Sequence, residues 1–411
     1  MSPRAWRLCS TVVATAVVSG SLIALAAPGN SGATPPAAAQ SLAPALSTAR
    51  PKAPVRGLDG LEPRSYRTRD DGTLVTDLPG ERVAELTYDA ALQSHLEDVF
   101  ERYEVPYGAA VAIEPSTGRV LAYVSHSSAN PDAGDLVRDP SPPAASVFKV
   151  VTGSALIDAG VGAGTKVCYS GGFRRLTMAH LSDENGRGGR CATLAEAMGG
   201  SINAIFARLS DRHLDAATLE RYAQAFGFGH ALPFDVPTRP SPFEIPRRDR
   251  LERARTAAGF WHSHMSPLHG ALIAATIAND GVMQRPRLVD RVLSAKGEEL
   301  ERFEPEAFRS VIPRSTARVV GSMMQKTISQ GTSHKAFHDL QGRPFLPGVD
   351  VAGKTGTLAT ERPYRAYNWW VGFAPADDPK IAVAALVVNT PKWRIKGSYV
   401  GKEALRQYLI R

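Results

Sequence analysis

Cysteine is scarce in this chain, which has only Cys9, Cys168 and Cys191 among 411 residues. They lack the paired spacing of a zinc finger, and none stands beside a histidine in a motif that is typical of a thiol nucleophile. We therefore expect no cysteine-based metal or catalytic site. Cys9 lies at the start of an apolar stretch, too early for a lipid-modified cysteine, and we expect it to be inert.

Extended runs of lysine and arginine are also missing, although the formal net charge is +8. A basic surface suits anionic partners such as nucleic acid, lipid head groups or wall polymers. Because there is no basic run and no RNA-binding signature, we do not expect nucleic acid as a partner. A basic surface that merely reflects a high-GC proteome explains the charge at least as well, so charge alone assigns no partner.

The N-terminus carries an export pattern. Arg4 and Arg7 precede the uncharged residues 8–27, and residues 24–26 (Ala-Leu-Ala) fit the small-x-small pattern before a cleavage point. The stretch is about long enough to cross a bilayer. The pattern predicts a signal peptide over residues 1–27 or, as the alternative, a membrane anchor. In both cases we expect the rest of the chain to be exported to the periplasm or another extracytoplasmic compartment.

Composition divides the rest of the chain into three parts. Residues 28–56 are rich in Ala, Pro, Ser and Gly, which predicts a flexible linker. Residues 57–85 predict a short N-terminal extension, and residues 86–411 the folded domain. In an exported domain, Cys168 and Cys191 favour one disulfide, which closes a local loop and stabilises by roughly 3 kcal/mol. Two free thiols are the alternative.

The domain combines helical and β-rich patterns. Apolar spacing predicts helices over residues 88–103, 146–159, 193–198, 203–209, 267–278, 314–328 and 399–409. β-rich runs predict strands over residues 109–113, 120–124, 349–357, 369–374 and 381–388. Short turns join several of these strands, so we expect an α+β fold in which helices flank an antiparallel sheet.

Three short motifs follow one another in a suggestive order. They are Ser146-Val147-Phe148-Lys149, Ser201-Ile202-Asn203 and Lys354-Thr355-Gly356-Thr357. A second Ser-x-Asn, at residues 128–130, lies upstream of the Ser-x-x-Lys and so in the wrong order. Together the motifs supply an activatable hydroxyl, an amine base, a second hydroxyl with an amide, and a cationic strand edge. That set matches acyl transfer through a serine ester.

The first motif has the parts of an activated nucleophile. Helical spacing places Ser146 and Lys149 on one face, within hydrogen-bond reach of each other. Lys149 can act as a base only if its pKa is lowered, and burial among apolar neighbours and a second cation, Lys354, would both lower it. Ser146 at a helix start also lies beside unpaired backbone N–H groups, which suit a developing oxyanion.

The other two motifs supply proton transfer and substrate contacts. The Ser201 hydroxyl can pass a proton to a leaving amine, and Asn203 can hold a substrate amide. Lys354 and the two threonine hydroxyls of its motif can bind a carboxylate, and Gly356 allows close approach to the strand. Each piece alone has a structural explanation as a helix cap, a turn or a charged strand end. Their conjunction in this order favours the catalytic interpretation.

In these motifs the chain resembles the transpeptidase domain of penicillin-binding proteins. These proteins belong to a group of serine acyltransferases that also includes the serine β-lactamases. The resemblance extends over residues 85–411. It includes the predicted hairpin at residues 109–125, the run around the second motif at 193–206, the helix at 266–282 and the strand at 369–379. It implies an antiparallel sheet flanked by helices, with an all-α lobe.

The resemblance also implies a role for each motif residue. Ser146 would be the acylated nucleophile, Lys149 its base and Ser201 a proton carrier. The substrate would contact Asn203, Lys354, Thr355, Gly356 and Thr357. The backbone N–H groups of Ser146 and Thr357 would form the oxyanion hole, and no metal or cofactor is implied. The substrate would be the D-alanyl-D-alanine end of a peptidoglycan stem peptide, or a β-lactam.

Three features depart from the family pattern. Only residues 57–85 precede the catalytic part, so we expect a small form without the N-terminal dimerisation module. His269 stands where relatives often have Gln. His262 and His264 could begin a metal site, but no third ligand is evident, and we expect a polar loop near the cleft.

Several functions use the same acylation chemistry. We expect a D,D-transpeptidase or D,D-carboxypeptidase. A class A β-lactamase needs a Glu-x-x-Leu-Asn motif, which this chain lacks. A class D-like β-lactamase is an alternative, although its second motif ordinarily ends in an apolar residue and not in one like Asn203. A sensor that binds β-lactams or wall peptides is the other alternative.

Overall fold

The computed structural model describes residues 57–410. The predicted signal peptide or anchor at residues 1–27 and the predicted linker at 28–56 lie outside the described residues and stay predictions. Among the described residues, no helix is long and apolar enough to cross a membrane.

In this part of the chain the strands are β1 (Arg67–Thr68), β2 (Leu74–Leu78), β3 (Arg82–Leu86), β4 (Tyr107–Ile113), β5 (Val120–His126), β6 (Lys166–Tyr169), β7 (Arg190–Thr193), β8 (Val282–Gln284), β9 (Val289–Leu293), β10 (Glu299–Arg302), β11 (Ala307–Ser310), β12 (Ala352–Glu361), β13 (Tyr364–Ala374) and β14 (Ile381–Asn389). The α-helices are α1 (Ala90–Arg102), α2 (Lys149–Asp158), α3 (Leu194–Gly200), α4 (Asn203–His213), α5 (Ala216–Phe226), α6 (Arg250–Ala257), α7 (Pro267–Ala278), α8 (Arg314–Ser329), α9 (His334–Phe337) and α10 (Gly397–Leu409).

The predicted hairpin and the three predicted closing strands form one antiparallel sheet, in the order β12-β13-β14-β4-β5. We call it the central sheet. Helix α7 packs on one face of it together with the helical lobe, which consists of α2–α6 and α8. Helices α1 and α10 cover the other face. The predicted α+β fold is therefore confirmed.

Strand β14 shows why the sheet separates two cores. Ala384 and Leu386 enter the core that α7 and the helical lobe share, whereas Val383 and Val387 enter the core under α1 and α10. Successive side chains of a strand point to opposite faces, and both faces are covered here. All nine residues of β14 are buried. Its sequence therefore reads as a continuous apolar run without polar alternation.

Residues 57–86 join a second sheet, in the order β1-β2-β3-β9-β10. Strand β3 pairs with β9, so the N-terminal extension is hydrogen-bonded to a segment about 200 residues later, with Val83 opposite Leu293. Leu58, Leu61 and Leu74 are buried in the same core as α7. The extension thus packs as part of the catalytic body, while the predicted domain boundaries themselves stay predictions.

The structure corrects two element boundaries near the motifs. A 3₁₀ turn over Ala145–Phe148 precedes α2, so the α-helix begins at Lys149 and the predicted start at Ser146 was wrong. Ala145 has a φ of +50°, which takes the chain out of α-helical geometry directly before Ser146. Strand β12 continues past residue 357 to Glu361, because it pairs with β13 along its whole length, from Ala352 onward.

A two-stranded ribbon of β6 and β7 lies between α2 and α3. Cys168 and Cys191 are directly opposite each other in this ribbon and form a disulfide. Arg208 on α4 is almost fully buried beneath it and donates to the Cys168 carbonyl at 2.8 Å. The ribbon is thereby tied to the helix that follows the second motif.

Candidate active site

Ser146 lies where the central sheet meets the helical lobe. The loop before it is held to the sheet by Trp369, whose Nε1–H donates to the Pro143 carbonyl at 2.8 Å. A Cβ added to Gly356 on β12 would lie 3.2 Å from the Ala145 Cβ and 3.3 Å from the Ser146 nitrogen. Gly356 therefore allows β12 to approach the Ser146 turn closely.

Lys149 is completely buried, and its Nζ contacts three oxygen atoms. These are Ser146 Oγ at 2.8 Å, the Asn203 Oδ1 at 2.7 Å and the Ala258 carbonyl at 2.5 Å. Burial, and to a smaller extent the charge of Lys354, lowers the pKa of Lys149 well below its ordinary value. A neutral amine is thus favoured at this position.

The contacts of Lys149 orient that neutral amine. Amide and peptide carbonyl oxygens only accept, so the two amine hydrogens are directed to Asn203 and Ala258. In the neutral form of Lys149 the nitrogen lone pair would face Ser146 Oγ, 2.8 Å away, and would accept the hydroxyl proton. This is the arrangement that a general base needs in order to take the serine proton.

The second motif lies on a sharp turn between α3 and α4. Ser201 ends α3 with a left-handed φ of +54°, and Asn203 begins α4. The Asn203 amide is fixed at both ends, since its Nδ2 donates to the Phe173 carbonyl at 2.6 Å while its Oδ1 accepts from Lys149. The turn brings the Ser201 hydroxyl and the Asn203 amide close to the two buried lysines, Lys354 and Lys149.

The third motif brings a second buried lysine to this turn. Lys354 Nζ donates to Ser201 Oγ at 3.0 Å and to the Thr355 carbonyl at 2.7 Å. Burial lowers the pKa of Lys354 to about 7. A carboxylate bound beside it would raise this pKa again, because an opposite charge favours the ammonium form.

The threonines of the third motif have different hydrogen-bond partners. Thr357 is exposed, and its Oγ1 accepts from Asn368 Nδ2 at 2.9 Å. The Asn368 Oδ1 accepts from the Gly397 nitrogen at 2.7 Å, which connects this end of β12 to α10. Thr355 is only partly exposed and contacts a residue outside the three motifs.

That residue is Thr332, which sequence analysis missed. Its Oγ1 lies 2.6 Å from Thr355 Oγ1, and its backbone N–H donates to the Gly199 carbonyl at 3.1 Å. A Cβ at Gly331 would lie 2.2 Å from the same carbonyl oxygen, so only glycine fits before it. Thr332 thus links the helix before the second motif to the third motif. In the sequence, the feature that could have indicated Thr332 is the pair Gly331-Thr332 shortly after the long helix α8.

Two other predictions involved histidines. His262 Nε2 lies 2.9 Å from Glu252 Oε2, so it is engaged by an acidic side chain of α6. His269 is completely buried on α7, between the Ser241 hydroxyl at 2.7 Å and the Phe226 carbonyl at 2.9 Å. Burial lowers the pKa of His269 to about 4, so it is neutral and structural at physiological pH.

Comparison with known proteins agrees with this geometry. The family profile of the penicillin binding protein transpeptidase domain matches residues 108–409, well over half of the chain. The chain belongs to this transpeptidase family. The transpeptidase fold that the three motifs implied is therefore confirmed.

Relatives of this transpeptidase family member come from several bacteria. It is 32% identical over 324 residues to the peptidoglycan D,D-transpeptidase PbpA of Mycobacterium tuberculosis, a match that covers 69% of this chain and 62% of that protein. It is 27% identical over 335 residues to stage V sporulation protein D of Bacillus subtilis, covering 76% of this chain and 50% of that protein. The chain thus spans between half and two thirds of the length of these relatives.

Solved structures show the same architecture. The crystal structure of PBPA from M. tuberculosis matches with a TM-score of 0.65 and 25% identity, over 79% of this chain and 80% of that one. A penicillin G acyl-enzyme complex of penicillin-binding protein A from M. tuberculosis matches with a TM-score of 0.62 and 26% identity, over the same shares.

Proposed function

We propose that the chain is a serine D,D-transpeptidase that acts on the D-Ala-D-Ala end of peptidoglycan stem peptides through an acyl-Ser146 intermediate. The observation that carries the proposal is the orientation of Lys149. Its Nζ is buried, lies 2.8 Å from Ser146 Oγ and contacts two carbonyl oxygens, so the neutral amine that burial favours would direct both hydrogens to those oxygens and its lone pair to Ser146. The names of the PbpA relatives and the penicillin G acyl-enzyme of a similar structure support the same chemistry.

Acylation begins when Ser146 Oγ attacks the carbonyl carbon of the penultimate D-Ala and its proton passes to Lys149. The carbonyl oxygen becomes an oxyanion, and the backbone N–H groups of Ser146 and Thr357 would stabilise it. Both belong to segments held together by the close contact at Gly356. Preorganised donors of this kind contribute about 3–4 kcal/mol to the transition state.

The intermediate then collapses, and the C–N bond to the terminal D-Ala breaks. The Ser201 hydroxyl gives its proton to the leaving nitrogen and regains one from Lys354, which it contacts at 3.0 Å. An acceptor amine next attacks the ester and loses a proton to Ser201 and Lys354. Lys149 returns its proton to Ser146 Oγ, so every proton is restored after one turnover.

Substrate binding follows from the charges. The terminal carboxylate would lie against Lys354 and the Thr355 and Thr357 hydroxyls, and Asn203 would hold a backbone amide. The carboxylate keeps Lys354 charged, so binding itself prepares the ammonium that donates to Ser201. Because peptidoglycan lies outside the cytoplasm, we also propose that the chain is exported, with residues 8–27 as the anchor if the leader is retained.

A fluorescent penicillin tests the proposal directly. The full chain is incubated with the reagent, and the modified peptide is identified by tandem mass spectrometry. We expect one stable adduct on Ser146, and none in Ser146→Ala. Ser128→Ala is the matched control, because Ser128 belongs to the out-of-order Ser-x-Asn and only donates to backbone carbonyls. A folded protein without an adduct, or with the adduct on another residue, would overturn the proposal.

A second measurement defines the acceptor. A stem peptide that ends in D-Ala-D-Ala is supplied together with a glycine-based amine, and released D-Ala and the new amide are quantified. We expect D-Ala release with amide formation. Hydrolysed peptide alone would indicate a D,D-carboxypeptidase, and rapid turnover of the penicillin would indicate a β-lactamase.

A further inference from the structure

A short segment of the loop that the disulfide closes passes beside the candidate active site. We call residues 173–176 the strap, and it belongs to no helix or strand of the described chain. At its first residue, the Phe173 carbonyl accepts from Asn203 Nδ2 at 2.6 Å. At its last residue, the Leu176 carbonyl accepts from Arg255 Nη2, also at 2.6 Å. The strap therefore bridges α4 and α6.

Close packing against α4 sets where the strap begins. Gly172 has a φ of +76°, and a Cβ at this position would lie 2.9 Å from the Ala204 Cβ. Glycine is therefore needed for both the backbone conformation and the close approach. Because Ala204 follows Asn203 directly, this contact brings the next carbonyl, that of Phe173, to the Asn203 amide.

Arg255 is itself held in place on α6. Its Nη1 forms an ion pair with Glu252, and the other carboxylate oxygen of Glu252 lies 2.9 Å from His262 Nε2. A guanidinium presents its donors in a fixed fork, so one arm binds Glu252 while the other binds the Leu176 carbonyl. The second end of the strap is thus attached to a connected group of three side chains.

The Phe173 carbonyl decides which way the Asn203 amide faces. A carbonyl oxygen only accepts, so the amide nitrogen must face Phe173, and the Asn203 Oδ1 then faces Lys149. With the amide turned around, two carbonyl oxygens would oppose each other. The amide hydrogens would then compete with the Ser146 hydroxyl for the lone pair of the Lys149 amine.

The inference rests on the proposed function, in which Lys149 takes the Ser146 proton. We propose that Arg255 is a positioning residue for this step: it holds the strap, and the strap keeps the Asn203 amide oxygen directed to Lys149. Arg255 acts through Asn203 and not on the reacting atoms themselves. Helix α6 thus orients the base twice, directly through the Ala258 carbonyl that follows it and indirectly through the strap.

Acylation kinetics in a double-mutant cycle test this role. Full-length wild type, Arg255→Met, Asn203→Ala and the double variant are incubated with a fluorescent penicillin, and the rate constants of adduct formation on Ser146 are compared. With Asn203 present, Arg255→Met should slow acylation about tenfold, the lower end of what one hydrogen bond to a charged group contributes. In Asn203→Ala the same substitution should change the rate by less than about twofold, because the strap then has no amide to orient.

Two further variants support the comparison. Arg253→Met is the matched control, since Arg253 lies on the same helix and donates to the Arg247 carbonyl at 3.2 Å; it should be acylated like wild type. Arg255→Lys keeps one cationic donor without the second arm of the guanidinium. It should be slowed less than Arg255→Met, and only when Asn203 is present, and it carries the test if Arg255→Met does not fold.

Two results would overturn the role of Arg255. One is an equal loss of rate with and without Asn203, which would make Arg255 only structural. The other is acylation that no folded Arg255 variant slows. The wild-type chain keeps the two proposals separate: if it forms the Ser146 adduct and either of these results is found, only the role of Arg255 is wrong. If it forms no adduct, the proposed transpeptidase function is wrong and the role of Arg255 falls with it.

Discussion

Replacement of Thr332 by valine tests whether a residue outside the three motifs orients the carboxylate site. The Thr332 backbone N–H already donates to the Gly199 carbonyl at 3.1 Å, and the Thr332 hydroxyl is farther from that carbonyl, at 3.4 Å. The Thr332 and Thr355 hydroxyls lie 2.6 Å apart and either can donate to the other; we predict that Thr332 donates in this shorter contact. Thr355 then keeps its own proton for the substrate carboxylate. Valine has the shape of threonine and keeps the backbone hydrogen bond to Gly199. It removes only the hydroxyl that orients Thr355.

The expected loss follows from one hydrogen bond. A neutral hydrogen bond contributes about 1 kcal/mol net, which corresponds to about a fivefold lower rate constant of acylation. The effect should appear with a penicillin that has a free carboxylate and disappear with its methyl ester. Thr332→Ser should restore the rate, because it keeps the hydroxyl. In a double-mutant cycle with Thr355→Val, the coupling energy should also be about 1 kcal/mol.

Thr327→Val is the matched control. Thr327 is completely buried on α8, five residues before Thr332, and its hydroxyl has no hydrogen-bond partner among the described residues. This substitution should leave acylation unchanged. If Thr332→Val slows the penicillin and its methyl ester equally and lowers the melting temperature, Thr332 is only structural and the reasoning is refuted.

Three other predictions concern the buried lysines and the disulfide. Lys149→Met should slow acylation of Ser146 by about 10³-fold with an unchanged circular dichroism spectrum, because a general base contributes about 10²–10⁴-fold. A rate near wild type would disprove the assignment of Lys149 as the general base. The pKa of Lys354 is about 7 in the folded chain and about 10.4 in the unfolded chain, so the unfolded state binds more protons between these values. The free energy of unfolding should therefore rise with pH there, by up to about 1.4 kcal/mol per unit. Lys354→Met should flatten this rise in denaturant titrations, and an unchanged slope would contradict the assignment. Cys191→Ser should lower the free energy of unfolding by roughly 3 kcal/mol while acylation persists, and equal stability would show that the bridge contributes nothing.

Much of the helical pattern could be predicted because its signals are local. Thr193 caps α3 with a reciprocal bond to Glu196, and Ser266 caps α7 with a proline at its first position. Such signals need only neighbouring residues. Helix α6 was missed, since its eight residues are mostly charged or small and its apolar face is short. Its position matters, because the Ala258 carbonyl that follows it accepts from Lys149.

The motif residues themselves were found from the sequence, because their chemistry is a property of residue type. A serine, a lysine three positions later and a Lys-Thr-Gly strand are recognisable without coordinates. Strand boundaries were less certain, and β12 extends four residues beyond the predicted end because its pairing with β13 continues. Pairing partners are distant in sequence, so no local pattern reports them.

The amino-acid sequence by itself determined which groups can react: the hydroxyl of Ser146, the amines of Lys149 and Lys354, and the order in which they occur. Only the tertiary structure decided how those groups are oriented. Lys149 meets partners 54 and 109 residues away, and Lys354 meets Ser201 across 153 residues. The burial that lowers the pKa of both lysines exists only once the sheet and the helical lobe have packed together. Reactivity at this site depends on distance and desolvation, and both are properties of packing.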